Sequence, residues 1–253
     1  MIKTLIIILA LLMAAIGGER GVKSFISLFG NAVILLIAVF LMAIGFNVIV
    51  ITVIMTFSLC GVTLFYQNGN NEKTRTAFYV VIIVSMSMLF LVMLLSSFAG
   101  ISGYNEINIY EEDITFYDNN IHVNMMQVAT TVIIIGILGA VKDSAVAVTS
   151  GIYEVFRHNP KIEMEELFHA GLHMGYDILG TALNTLFFAC LGESMLLINR
   201  FYRLNYSFLQ LMNSKAFFQQ LIIVAAGAIG IVLSIPVASF TMTKVITKNV
   251  MKF

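Results

Sequence analysis

The chain has 253 residues, 59% of them hydrophobic and 11% charged, with 14 Lys+Arg offset by 14 Asp+Glu. A soluble domain carries about 25% charged residues, so this composition and a mean hydropathy of +0.95 exclude one and specify a polytopic membrane protein. Zero net charge gives no electrostatic footprint for nucleic acid.

In chain order, seven apolar segments are predicted to span: 4–18, 27–45, 47–66, 77–99, 125–155, 171–197 and 217–241. The first follows Lys3 and has the outline of a signal peptide, but its "GGERG" flank is a poor cleavage site, so it is expected to remain as a short first span. "GFN" at 45–47 predicts a tight turn between the second and third. The expected fold is an all-α integral membrane protein of seven transmembrane helices in a single transmembrane domain, 1–253. Within it, 1–99 holds four spans, 100–124 is an acidic outer loop, and 125–253 holds three spans. Basic residues set the orientation: Arg20, Lys23, Lys73, Arg75, Arg157, Lys161, Lys244, Lys248 and Lys252 fall on one side if the N-terminus is outside and the C-terminus cytoplasmic. Loop 198–216, with Arg200, Arg203 and Lys215, is the exception.

Two connections have texture. In "RHNPKIEMEELFHAG", Asn159 as cap and Pro160 at the first helical position predict a short amphipathic helix over 160–169 on the cytoplasmic surface. Ile162, Leu167 and Phe168 would face the membrane, with glutamates on the wet side. "RFYRLNYSFLQLMNSKAFF" reads as an interfacial belt of aromatic and basic residues. Cys60 and Cys190 sit in apolar runs and act as small apolar side chains.

The chemistry concentrates in "GAVKDSAVAVTSGIYEV", 139–155, where Lys142 and Asp143 interrupt an apolar run. A charge near the centre of a spanning helix costs about 2.5–3.5 kcal/mol on insertion scales, and such residues normally face the protein interior. On the next span, Asp177 falls at a similar depth. Helical spacing aligns Asp143 with Gly136, Gly139, Ala147, Ser150 and Glu154, and aligns His169, His173, Asp177 and Thr181, with Asn184 on the same face. Gly171 and Gly175, with Gly136, Gly139 and Gly180, are candidate packing positions. If Lys142 neutralises one carboxylate, the other must bind a cation, take a proton or reach water. The ion- or proton-path candidates are therefore Asp143, Asp177, Lys142, His173, Ser150, Thr181 and Asn184. A structural alternative has Lys142 and Asp177 clamping two helices. The His169/His173 pair lacks an HExxH context, and "GYD" at 175–177 lacks the GxGD element of intramembrane aspartyl proteases. No metal, no other cofactor and no enzymatic activity are expected.

At these residues the chain resembles the YibE/F family of bacterial multi-span membrane proteins. The likeness rests on "GAVKDSAVAVTSGIYEV", "NP" at 159–160 and "HAGLHMGYDILGTALNTLFFACLGES", closely over 136–194. Ala182, Cys190 and Tyr176 depart from the family's pattern of Met, Tyr and a basic residue. The short chain is similar to the smaller, YibF-like member of a pair. The resemblance implies a bacterial plasma-membrane protein working beside a larger YibE-like paralogue, as a homo-oligomer, or both. It supplies no reaction. Two functions are in view: a proton- or cation-coupled permease or transport subunit, and a non-transporting scaffold or receptor subunit that stabilises a paralogous membrane partner.

Overall fold

A computed structural model describes residues 1–98 and 123–250. Its helices are α1 (Ile2–Ala43), α2 (Val48–Gly61, continued by a π-helical turn over Val62–Tyr66), α3 (Glu72–Phe98), α4 (Met125–His158), α5 (Met164–Arg203), the short α6 (Phe208–Met212) and α7 (Lys215–Val250). There is no strand among the described residues. Six of these helices are long and apolar enough to cross a membrane.

The difference from seven spans lies in α1. The expected first and second spans form one 42-residue element, broken at Gly18, whose φ of 53° and ψ of −137° are not helical. A side chain at Gly21 would run into the Met13 carbonyl. In a straight helix those residues would stand about 12 Å apart at 1.5 Å per residue, so the axis turns sharply at Gly18, where glycine tolerates the positive φ. The "GFN" turn forms as expected: Gly45 takes φ 99°, and the Asn47 side chain caps α2 by accepting from Ile49 N–H and Val50 N–H.

The expected amphipathic helix over 160–169 is corrected. Asn159 ends α4, its N–H donating to Val155 O. Residues 160–163 form the turn, and from Met164 the chain is helical without interruption to Arg203. No break separates a surface helix from the span, because nothing between Met164 and Gly171 disfavours helix. The predicted faces survive inside α5: Leu167 is buried, and Glu163, Glu165 and Glu166 are exposed. The acidic loop 100–124 lies almost wholly outside the described residues.

The core is made by α3, α4, α5 and α7, with α2 against α3 and α4 and α1 against α2. Helix α4 buries Ile133, Ile134, Ile137, Val141, Ala145, Val148 and Ile152, a run at helical spacing. Against it lie Val81, Val84 and Met88 of α3 and Ile231, Ile235 and Met242 of α7, all buried. Hydroxyls on these faces mostly bond the carbonyl one turn back, as Thr52, Thr56, Thr130 and Thr149 do. Thr52 also meets Thr131 across the α2–α4 contact at 2.6 Å.

Close approach of α5 to its neighbours depends on Gly171 and Gly175. A Cβ on Gly171 would lie 2.5 Å from Ile152 Cδ1 and 2.8 Å from Ser239 Oγ, and one on Gly175 would overlap Ile235. Gly139 and Gly180 differ from that expectation: an added Cβ there meets nothing within 4 Å, and at Gly136 it makes only ordinary contact with Ile223. We therefore expect Gly175→Leu to cost at least the ~1–3 kcal/mol of an overpacked core and to lower the unfolding midpoint of the detergent-solubilised chain. Gly180→Ala should leave it unchanged or raise it slightly through helix propensity. Equal midpoints for wild type and Gly175→Leu would contradict this packing.

Candidate functional site: a polar groove and two cavities around α4

The midpoint of α4 falls beside Lys142 and Asp143. Consecutive helical residues differ by about 100° around the axis, and these two side chains enter different openings. Asp143 lines a groove of about 480 Å³ between α4 and α5, with Ser144, Ala147, Thr181, Thr185 and Ala189 among its walls. Lys142 lines a cavity of about 320 Å³ on the other side of α4, shared with Asn31 of α1 and with Cys60 and Thr63. The ammonium reaches back to Asp143 Oδ1 at 3.6 Å. The Lys142–Asp177 clamp is thereby corrected: Lys142 pairs with its chain neighbour and joins no two helices.

Register along the antiparallel α4–α5 pair follows from packing. Gly171 abuts Ile152, and Gly151 abuts Met174. Continued along both axes, this sets Asp143 beside Thr181, in agreement with the groove they share. Asp177 then lies one turn, about 6 Å, nearer the α4–α5 turn. The two carboxylates are thus close in depth, as their sequence positions suggested.

Their burial is what the sequence did not convey. The Asp143 side chain is 78% exposed in the isolated chain, against 23% for Lys142. Asp177, Thr181, Asn184 and Thr185 are also exposed. The motif therefore presents a polar lateral face instead of an enclosed channel. His173 is exposed as well, its ring edge-on to Tyr176 at 6.4 Å. His169 lies against Phe168. Among the described residues no three His, Cys, Asp or Glu side chains cluster as a metal site would require. Cys60 and Cys190 are free and buried.

Ser150 is separated from Asp143. It lines a third opening of about 360 Å³, with Arg20, Gln67, Asn71, Lys73 and Thr74. Beside it Lys73 Nζ donates to Glu154 Oε1 at 2.6 Å and stands 4.7 Å over the Tyr153 ring. Sequence reasoning missed α1 and the α2–α3 connection as contributors. A signal was present: Ser24, Ser27 and Asn31 recur at three- and four-residue spacing in an otherwise apolar run. In the structure Gln67 Nε2 donates to Ser24 Oγ at 2.9 Å, and Asn31 Nδ2 donates to Thr63 Oγ1 at 3.0 Å. Asn31 Oδ1 and Ser27 Oγ are buried without a hydrogen-bond partner among the described residues. The π-helical turn over Val62–Tyr66 brings Thr63 into this seam, and such turns often mark functional positions.

A helical bundle of spanning length, with charges at mid-helix, defines a polytopic membrane protein. The chain belongs to the YibE/F family: the family model for YibE/F-like protein matches residues 5–248, nearly the whole chain. No curated protein and no solved structure matches it.

In the isolated chain in detergent, the apolar carbodiimide dicyclohexylcarbodiimide should modify both Asp143 and Asp177, detected by peptide mass mapping. Asp143→Asn should remove one adduct and keep the other. An unmodified Asp143 under conditions that label Asp177 would contradict the open groove.

Proposed function

We propose that this chain is a transport-class subunit of the bacterial plasma membrane, whose α4–α5 groove forms one wall of a proton or cation path completed by a second membrane-spanning chain. The observation that carries the reading is the 78% exposure of Asp143 at the middle of a spanning helix. Along the axis, Asp143 lies about 22 Å from the helix end at His158, whereas the hydrocarbon half-thickness is about 15 Å. An aspartate side chain is too short to snorkel that distance. Facing lipid, it would cost about 2.5–3.5 kcal/mol, and the exposed Asp177 adds a further charge. A protein partner that lines the groove with water or polar groups removes that cost. The open walls at Gly139 and Gly180 leave room for such a partner or for water.

In this reading Asp143 and Asp177 take up and release the ion, Thr181, Thr185 and Asn184 offer oxygen and amide ligands, and Lys142 lowers the occupancy of cations near Asp143. The partner is a second copy or a larger paralogue. The scaffold reading draws on one observation, the 3.6 Å Lys142–Asp143 pair, which could serve as a self-neutralising polar patch for docking alone.

Cross-linking and flux separate the readings. In a background with Cys60 and Cys190 replaced by Ala, Thr181→Cys should cross-link in membranes to a second copy or to a co-expressed paralogue. Absence of any adduct to either would overturn the covered groove. Under the path reading, Asp143→Asn abolishes ion flux in proteoliposomes while cross-linking persists, and the neutral double variant Lys142→Met with Asp143→Asn stays inactive. Full flux in that double variant would remove Asp143 from the path, and no flux from the wild-type chain with its cross-linked partner would leave only the scaffold. The orientation, with the N-terminus outside and the C-terminus cytoplasmic, rests on the distribution of Lys and Arg. A cysteine at residue 113 should accordingly react with a membrane-impermeant maleimide added outside intact cells, and exclusive labelling from the cytoplasm would reverse it.

A further inference from the structure

We infer that the cavity between α1, α3 and α4 is a binding site for a phosphate-class anion at headgroup depth, distinct from the α4–α5 groove. Its volume of about 360 Å³ lies in the ~300–1,000 Å³ range of small-molecule sites. Arg20 and Lys73 supply positive charge, Gln67, Asn71, Thr74 and Ser150 supply amides and hydroxyls, and among the described residues no acidic side chain lines the wall. Some of these groups are already engaged. Asn71 Oδ1 accepts from Thr74 N–H at 3.0 Å and from its hydroxyl at 2.8 Å, and Gln67 donates to Ser24. Lys73 is shared with Glu154 just outside the wall. The Arg20 guanidinium and the Ser150 hydroxyl, by contrast, make no hydrogen bond or ion pair among the described residues. Once Lys73 and Glu154 offset each other, the net charge is that of Arg20, one positive. That matches a phosphodiester or a singly charged phosphate, and a guanidinium presents the planar pair of donors such an anion accepts.

Depth supports the same ligand. Ser150 lies about 12 Å along α4 from its midpoint, near the ~15 Å at which hydrocarbon gives way to headgroups. Lipid phosphates occupy that level, and basic openings between spanning helices bind them. Soluble phosphate reaches the same level from the aqueous side. The chemistry is shared, and the source is a matter for measurement.

The test uses the full chain in detergent and reads the thermal unfolding midpoint. One arm adds phosphatidylglycerol against phosphatidylcholine in mixed micelles. The other adds sodium phosphate against sodium chloride at equal ionic strength. At least one arm should raise the midpoint saturably. Phosphatidylglycerol alone identifies a lipid headgroup, phosphate alone a soluble anion, and a response to both the shared chemistry. Arg20→Gln should weaken the apparent affinity by about tenfold or more, since it removes the charged donor. Ser150→Ala, which removes a hydroxyl and no charge, should weaken it by a smaller factor and serves as the second variant if the first yields no folded protein. No response in either arm, or a wild-type response in the variants that fold, overturns the site. Because binding is read without flux, failure here leaves the groove reading standing, and failure of the groove leaves this one standing.

Discussion

Hydrocarbon offers no hydrogen-bond partner, so every polar atom on a spanning helix must be satisfied within the protein or through water. Helix α4 carries a heavy load, with Thr130, Thr131, Lys142, Asp143, Ser144, Thr149 and Ser150 between its ends. Most of the hydroxyls resolve the problem locally: Thr130, Thr131, Ser144 and Thr149 donate to carbonyls on the preceding turn of the same helix. That solution consumes no partner helix and leaves the apolar face free to pack on α3 and α7. A carboxylate or an ammonium has no such local remedy. Both are displaced to the margins of the bundle, where openings exist.

The angular step of a helix turns this into a division of labour. Buried isoleucines, valines and Ala145 face the core. Lys142, Val146 and Ser150 follow one another at four-residue spacing on the side toward α1 and α2. Asp143 and Ala147 share the side toward α5. The adjacent opposite charges are therefore neither a buried salt bridge nor two independent sites. They stand between two openings, each in reach of the other's field, with a helix backbone as the wall. Replacing either one alters the charge in both.

Much of the frame was legible in the sequence, for physical reasons that can be assigned. Membrane class follows from hydropathy, the turn at Gly45–Asn47 from residue chemistry, and the matched depth of Asp143 and Asp177 from counting along a hairpin. The bend at Gly18 was not legible as a bend, because a hydropathy window reports length and polarity without direction. The break expected near residue 170 was not there, because a change from amphipathic to apolar pattern does not interrupt backbone hydrogen bonding. Periodicity assigned residues to faces of α4 but could not say which neighbour covers each face. Thus Ser150 was grouped with Asp143, though it belongs with Arg20 and Lys73. The cavity walls from Asn31, Gln67 and Asn71 come from two separate segments, α1 and the α2–α3 connection, and their convergence is a property of packing alone.

Depth also decides what each opening can hold. On the proposed path, the carboxylate of Asp143 at the helix midpoint would select a proton or a cation. Nearer the rim, the unengaged Arg20 would select the proposed anion, which headgroups or solvent would provide. An anion held beside Ser150 would stand about 10 Å from Asp143 along α4. At an effective dielectric of about 20, unit charges at that distance interact by about 1.5 kcal/mol. On the two proposals above, an anion in the rim cavity would therefore strengthen cation or proton binding in the groove by about tenfold, with no movement of the helices required. By the reciprocity of linkage, a cation in the groove would tighten the anion by the same factor. Two openings of opposite charge preference on one helix would then be coupled by electrostatics alone, and the sign of that coupling follows from the opposite charges of the two ligands.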